Sequence, residues 1–379
     1  MKKYLKFDDQ IVVLNKQEAL QEYLQFRREN DVWVQPYINE SAVVGIDDHP
    51  LFLPQYFSEN NILLNDDSNE CVRDTGLFLS FPMDGKRVIY PTRHVAFYSI
   101  CQRAGITGST ISNFTETPFK KVLPVTEKAA WLTRGFSLYT QKCNILIRDG
   151  KVSAMMSSSY RILPADELVN ALEEKIRKEH PEMEMRTARI THEYLNVEYL
   201  LNDEEADAGF TTLLKELGLD AEVKTGIGFA TSDVGLSRAY VYSFFTMDGQ
   251  VTRFGDSIGV EHEGKNDVNT FIKLLPDVGN LFTEAEDQIE KLGNMDIHSV
   301  ASTVRNITEK NKALFPKAFA DDVIASLVMK SGTAIDVYLA LNEIVENYIN
   351  SRGCNPSHAL ILKDRASKYL HENIKRYDI

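Results

Sequence analysis

Asp149-Gly150 stands between two β-prone runs, Asn144-Ile145-Leu146-Ile147-Arg148 before it and Lys151-Val152-Ser153-Ala154-Met155 after it. An Asp-Gly pair accommodates the positive φ that a tight hairpin requires, so the stretch predicts two antiparallel strands and a short turn. A hairpin alone is marginal in water and needs further strands or a helix over its faces. The chain is thereby limited to folds with an antiparallel or mixed sheet near the centre. The same signal appears upstream, where Pro82-Met83-Asp84-Gly85 joins β-like runs at residues 77–81 and 86–90.

Short strands are predicted at residues 10–14, 32–34 and 42–46, and longer ones at 222–231, 237–246 and 250–260. Residues 183–201 read as one long strand or a bent pair. Helices are predicted over residues 16–29, 92–103, 124–140, 205–217 and 334–348. The third of these carries Val125, Ala129, Leu132, Phe136 and Tyr139 on one apolar stripe, with Arg134 on the opposite side. Pro164, followed by Asp166 and Glu167, opens a further helix, because proline suits the first turn and acids suit the positive end of the dipole. From residue 264 onward the helical period dominates. The expected fold class is α+β, with a mixed or antiparallel sheet core and a helical C-terminal segment. Its divisions are expected at residues 1–75, 76–263 and 264–379, the first break falling near the Asn-, Asp- and Ser-rich residues 58–70.

Charge is distributed unevenly along the 379 residues. The net charge is −13, which taken whole argues against non-specific attachment to nucleic acid or anionic membranes. Residues 81–161 run the other way, with 12 basic and 4 acidic side chains. The cations are Lys86, Arg87, Arg93, Arg103, Lys120, Lys121, Lys128, Arg134, Lys142, Arg148, Lys151 and Arg161. Aromatic residues are interleaved with them, among them Tyr90, Phe97, Tyr98, Phe114, Phe119, Trp131 and Tyr160. Cations that follow phosphates and aromatic faces that stack on bases are what single-stranded nucleic acid requires. A second reading is that the acidic flanking segments fold against the block and neutralise it, leaving the aromatics as core.

Motifs for enzymatic chemistry are missing or incomplete. Gly105-Ile106-Thr107-Gly108-Ser109-Thr110 lacks the lysine of a phosphate loop, and Gly226-Ile227-Gly228 lacks the third glycine of a dinucleotide fingerprint. Thr191-His192-Glu193 has no helical second histidine, and Ser157-Ser158-Ser159 has no nearby histidine to activate it. Asp47-Asp48-His49 before Pro50 reads as a solvated turn rather than a metal site. Cys71, Cys101, Cys143 and Cys354 are too scattered for a zinc knuckle or disulfide framework, which points to reduced thiols. No catalytic residue, metal or cofactor is expected. No run of about 18 apolar residues exists to span a membrane. The opening Met1-Lys2-Lys3 meets Asp8 and Asp9 before any apolar run, against a signal peptide.

Two passages resemble a known family. One runs from Ile147-Arg148-Asp149-Gly150 through Met156-Ser157-Ser158-Ser159-Tyr160-Arg161. The other is Thr231-Ser232-Asp233-Val234-Gly235, then Ser237-Arg238-Ala239-Tyr240, then His262-Glu263-Gly264-Lys265. In that order they resemble the phage/plasmid-like proteins catalogued as domain of unknown function 932, over residues 140–270. Thr231-Ser232-Asp233 stands where Asn-Ser-Glu is common, and Thr246-Met247-Asp248-Gly249 where members often have Cys-x-Asn-Gly. The resemblance implies a mobile-element gene and a protein of the bacterial host cytoplasm. It implies no particular reaction, though such genes travel with recombination and replication functions.

The expectation is a non-enzymatic protein that binds nucleic acid, single-stranded DNA by preference, in annealing or strand protection. The residues expected to carry it are Lys86, Arg87, Arg93, Arg103, Lys120, Lys121, Lys128, Arg134, Arg148, Lys151, Tyr160 and Arg161. Arg148, Lys151 and Arg161 are expected to form a cationic edge at the hairpin tip. Two alternatives stay open: a module that binds and redirects a host protein, and an enzyme without a recognised motif. Self-association also stays open.

Overall fold

The computed structural model describes residues 5, 10–46, 75–107, 111, 125–247, 250–275, 280–327, 331–349, 351 and 356–379. Within them the chain is α+β. The strands are β1 (Val12–Leu14), β2 (Val32–Val34), β3 (Ala42–Gly45), β4 (Leu77–Met83), β5 (Lys86–Pro91), β6 (Cys143–Arg148) and β7 (Lys151–Ser157). Then follow β8 (Glu184–Ile190), β9 (Leu195–Leu200), β10 (Val223–Thr231), β11 (Ala239–Met247) and β12 (Gln250–Val260), with a short pair β13 (Asp296–Ile297) and β14 (Gly332–Thr333). Among the helices are α1 (Gln17–Asn30), α2 (His94–Arg103), α3 (Val125–Phe136), α4 (Ala165–Glu179), α5 (Glu204–Glu216) and α6 (Val268–Leu274). The C-terminal helices are α7 (Asn280–Gly293), α8 (Val300–Lys310), α9 (Lys317–Ser326), α10 (Ala334–Ile349) and α11 (Pro356–Ser367).

Both Asp-Gly pairs turn as their chemistry demands. Asp84 and Gly85 have φ of 49° and 75°, and Asp149 and Gly150 have 51° and 77°. Each therefore closes a two-residue hairpin with both central residues left-handed. Residues 183–201 are a hairpin too: β8 pairs antiparallel with β9 from Glu184 opposite Leu200 to Ile190 opposite Leu195. The turn between them, residues 191–194, contains Thr191, His192, Glu193 and Tyr194, with no glycine or proline to announce it.

The largest sheet has the order β1-β8-β9-β10-β11-β12, an antiparallel meander with β1 added at the β8 edge. Two smaller sheets have the orders β2-β6-β7 and β3-β4-β5. Residues 10–46 thus supply an edge strand to each of the three, and they do not stand apart as a unit. Alternation along the large sheet gives it two different faces. On one face Val197, Ile227, Phe229 and Val241 pack against Leu24 of α1, Leu168 and Leu172 of α4 and Phe271 of α6. Farther along the same face, Phe245 and Phe254 join the core of α7, α8 and α10. The segment after residue 264 is mostly helical, and it shares that core with the sheet rather than forming one of its own. A third core lies between the two small sheets and the helices α2 and α3, where Ala129, Leu132 and Phe136 of the stripe are buried and Arg134 is exposed.

The second face of the large sheet is aromatic and polar. Tyr194, Tyr240, Tyr242 and Phe244 cluster there. Gly226 and Gly228 lie opposite Phe244 and Tyr242 in register. A Cβ on Gly228 would fall 2.1 Å from Cζ of Tyr242, and one on Gly226 2.2 Å from Cζ of Phe244. The glycines are therefore required by the rings that lie across β10, and Gly-Ile-Gly has a packing role. Gly228→Ala is expected to lower stability by about 1–3 kcal/mol through overpacking. Gly209→Ala, at an exposed position of α5 with nothing near its Cβ, is expected to raise it by up to about 1 kcal/mol. Urea unfolding midpoints of the two variants should move in opposite directions.

Candidate functional site

The β6–β7 hairpin meets the large sheet at a buried ion cluster. Arg148, at the end of β6, is 4% exposed. Its Nε donates to Asp31 Oδ2 at 2.9 Å, its Nη1 to the His192 carbonyl at 2.7 Å and its Nη2 to Asp233 Oδ2 at 2.7 Å. Arg27 of α1 pairs with Asp149 at 3.0 Å and Asp31 at 3.3 Å, and its Nε donates to the Tyr23 hydroxyl. Arg93 donates to Ser153 Oγ at 3.2 Å and to the Arg148 carbonyl at 3.3 Å. Lys151 is fully buried beside them. Opposite charges and carbonyls engage the three arginines in a water-poor setting, where a lone charge would be expensive, although Arg27 Nη2 has no hydrogen-bond partner among the described residues.

His192 sits inside the cluster at 2% exposure, with Nδ1 3.7 Å from Asp149 Oδ2. Burial drives its pKa far below the ordinary histidine range, and the surrounding Arg93, Arg27, Arg148 and Lys151 add to the effect.

The passages that carried the family resemblance converge next to this cluster. The Tyr160 ring stacks on His262, with centroids 5.1 Å apart and planes within 5°. The Tyr160 hydroxyl donates to the Ser232 carbonyl at 3.3 Å. Arg161 N donates to the His262 carbonyl at 2.8 Å, and its Nε to the Gly264 carbonyl at 2.6 Å. His262 Nδ1 lies 3.0 Å from the Arg161 carbonyl, which makes Nδ1 the protonated nitrogen, and Nε2 lies 3.4 Å from Thr231 Oγ1. Burial lowers the His262 pKa, against the opposing pull of Asp233 and the Arg161 carbonyl. Gly235 has φ +78°, and a Cβ there would meet Met156 Cε at 2.3 Å. Residues far apart in the chain thus form one continuous patch.

This geometry corrects the expected interface. Arg93, Arg148, Lys151 and Tyr160 are buried, and the cationic edge at the hairpin tip does not form. Of its three members only Arg161 is exposed. Asp31, Asp149 and Asp233 have folded against the inner cations, as the neutralising reading of the block requires. Lys86, Arg87 and Arg134 are exposed, whereas Arg103 and Lys128 are half-buried. Arg87 donates to Ser80 Oγ and the Glu40 carbonyl. Lys120, Lys121, Phe114, Phe119 and the Asp47-Asp48-His49 cluster lie outside the described residues. Tyr98 and Trp131 are each 57% exposed. Cys101 and Cys143 are buried free thiols.

A groove runs beside the patch, assembled from three clefts that share walls. Tyr98, Gln102, Arg103 and Gly105 line the first, at the C-terminal end of α2. Gln102 and Arg103 also line the second, together with Ser157, Tyr160, Arg238 and His262. Ser237 and Arg238 then continue into a third, on the polar face of the large sheet. Arg103 Nε, turned away from solvent, has no hydrogen-bond partner among the described residues. Acids enter the groove as well, through Glu261 and Glu263. Arg238 was not among the expected site residues. Its only signal in the sequence was its place in Ser237-Arg238-Ala239-Tyr240.

Comparison with protein-family models, curated proteins and solved structures finds no match. Among the described residues no set of three His, Cys, Asp or Glu side chains gathers to hold a metal ion. No described helix is long and apolar enough to cross a membrane.

Arg148→Ala leaves the Asp233 carboxylate without its cation and Asp31 with Arg27 alone, and is expected to cost about 3–5 kcal/mol in urea unfolding. Arg161→Glu, at an exposed side chain, should stay within about 0.5 kcal/mol of wild type. Equal effects of the two would contradict the buried cluster.

The histidines set a pH response. A depressed folded pKa means that the unfolded chain takes up protons first as pH falls, so stability declines below the unfolded value of about 6.5. Between pH 6.5 and 5, His192 alone should remove about 2 kcal/mol. Replacing it with Gln should flatten that part of the profile, measured by urea unfolding at closely spaced pH values.

Proposed function

We propose that this chain binds single-stranded nucleic acid along the groove from Tyr98 and Arg103 to Arg238, as a phage- or plasmid-type protein acting in recombination or replication. The observation that carries the reading is the adjacency of the clefts, with an arginine lining both members of each neighbouring pair and tyrosines along the walls. Arginine serves such a path well, because its planar fork both reaches phosphate oxygens and stacks on bases. Exposed Tyr98 lies in the first cleft, where a base can stack on its ring. The buried members of the basic block serve this reading as supports: Arg148 holds Asp233, and Tyr160 holds Ser232, at the start of the loop that carries Arg238. Glu261 and Glu263 repel phosphate and narrow the path to the arginine side.

Phosphate contacts release counterions, so the logarithm of affinity should fall with the logarithm of salt by about 0.7 per contact on a single strand. Fluorescence anisotropy with a labelled single-stranded DNA should give a measurable complex at low salt and such a slope. Arg103→Ala and Arg238→Ala should each reduce the slope by about one contact, roughly 0.7. Tyr98→Ala should weaken binding by about 1–3 kcal/mol without changing the slope. Absence of binding at low salt, or unaltered binding by the Arg103→Ala, Arg238→Ala double variant, would overturn the reading.

A further inference from the structure

A buried guanidinium needs acceptors for its five donor hydrogens, and Arg253 of β12 is short of them. The residue is 5% exposed. Its Nη1 is 3.4 Å from the Tyr240 hydroxyl and only 3.9 Å from Asp364 Oδ1 of α11. Nε and Nη2 have no partner among the described residues. The group is held in place from one side by the Tyr242 ring, 3.7 Å below it. Tyr242 is itself fixed by Asn196, whose Nδ2 donates to its hydroxyl at 2.6 Å, and lies against Gly228. A cation so deeply desolvated and so thinly paired is costly unless an anion completes it.

The pocket that Arg253 lines has a volume of about 320 Å³. Arg238 and Lys368 contribute further positive charge, Arg238 Nη2 already donating to the Ser257 carbonyl and Oγ. Ser257 contributes a hydroxyl donor, since Ser237 and Ser367 give theirs to the Arg238 and Asp364 carbonyls. The acids are Asp364, noted above, and Asp256, which is already engaged by His371 Nε2 at 2.8 Å. Two arginines, an ammonium and the Ser257 hydroxyl around one small space match the oxygens of a phosphate. Through Ser237 and Arg238 the pocket opens into the groove described above, and its opposite wall is α11 and the turn that follows it.

We propose that this pocket holds a phosphomonoester and, resting on the groove reading, that the group is the terminal phosphate of the bound strand. A terminal phosphate carries about −1.5 to −2 charge and three free acceptor oxygens, more than a linking phosphodiester offers. The wall formed by α11 fits an end of a strand rather than its continuation. The same pocket chemistry would accept a free phosphate, so the test separates the two sources.

The full chain and its Lys368→Glu variant are compared on labelled single-stranded DNA of one sequence, with a 5′-phosphate, a 3′-phosphate or hydroxyls at both ends. Lys368 is exposed, and its replacement should leave the fold intact. One of the phosphorylated strands should bind about tenfold tighter than the hydroxyl strand, as a charge-assisted contact implies. Lys368→Glu should abolish that preference, the phosphorylated strand losing about tenfold more affinity than the hydroxyl strand. Equal affinity for the three strands overturns the end-recognition while the groove reading stands. If no strand binds at all, the groove reading falls, and inorganic phosphate decides the pocket. A melting temperature raised by phosphate in wild type but not in Lys368→Glu upholds an anion site, and no rise overturns it.

Discussion

The Arg148 guanidinium joins four stretches of chain that are remote in sequence. It leaves its own hairpin to reach Asp31 after α1, the His192 carbonyl in the β8–β9 turn and Asp233 after β10. Such a contact has little value as a source of stability, since the cost of desolvating the charges consumes most of the attraction. Its value lies in uniqueness: any other docking of the hairpin strands a charge in a dry interior. The position of the β2-β6-β7 sheet against the large sheet follows from it. So does the course of the loop after Asp233, which forms one wall of the groove. The groove is in this sense shaped by a group that does not line it.

The large sheet divides its labour between its faces. One face is filled by aliphatic and phenylalanine side chains from helices before and after it, and this burial supplies the driving force for folding. The other carries tyrosines, Asn196, Glu198 and Arg253, and several of its groups pair across it: Tyr194 with Tyr240 at 2.8 Å, Asn196 with Tyr242 at 2.6 Å, Arg186 with Glu198 at 2.6 Å. Two glycines on β10 make room for this layer. A polar layer on a rigid sheet is a sound base for recognition, because its groups are positioned before a ligand arrives.

What could be read from the sequence was what local chemistry decides. Asp149-Gly150 and Asp84-Gly85 need left-handed backbone wherever they are, and they turned as read. The stripe through Leu132 and Phe136 needs only the helical period. Residues 183–201 stayed open between one long strand and a bent pair because Thr-His-Glu-Tyr, at residues 191–194, has no left-handed or φ-fixed residue to break a β-prone run. Burial of the basic block was beyond local reading for a different reason. Arg148 and Lys151 look solvent-bound by type, and only the arrival of Asp31, 117 positions away, and of Asp233 makes an interior place tolerable. The groove could not be read at all, since α2, the end of β7 and the loop after β10 meet only when the sheets are docked.

The placement of residues 10–46 on the edges of all three sheets bears on how the molecule is made. Val12 pairs with Ile190, and Val32 with Ile147. On a ribosome these strands emerge before their partners, which follow only after much more of the chain has been synthesised. For that interval their unpaired edges are open to wrong partners, as unpaired strand edges in general are. The brevity of β1 and β2, three residues each, limits that exposure, because so short an edge offers few hydrogen bonds to an intruder. Closure must await the β6–β7 hairpin and β8, so the order of synthesis and the order of assembly run in opposite senses. Residues 10–46, made before their partners, are the ones that complete the three sheets.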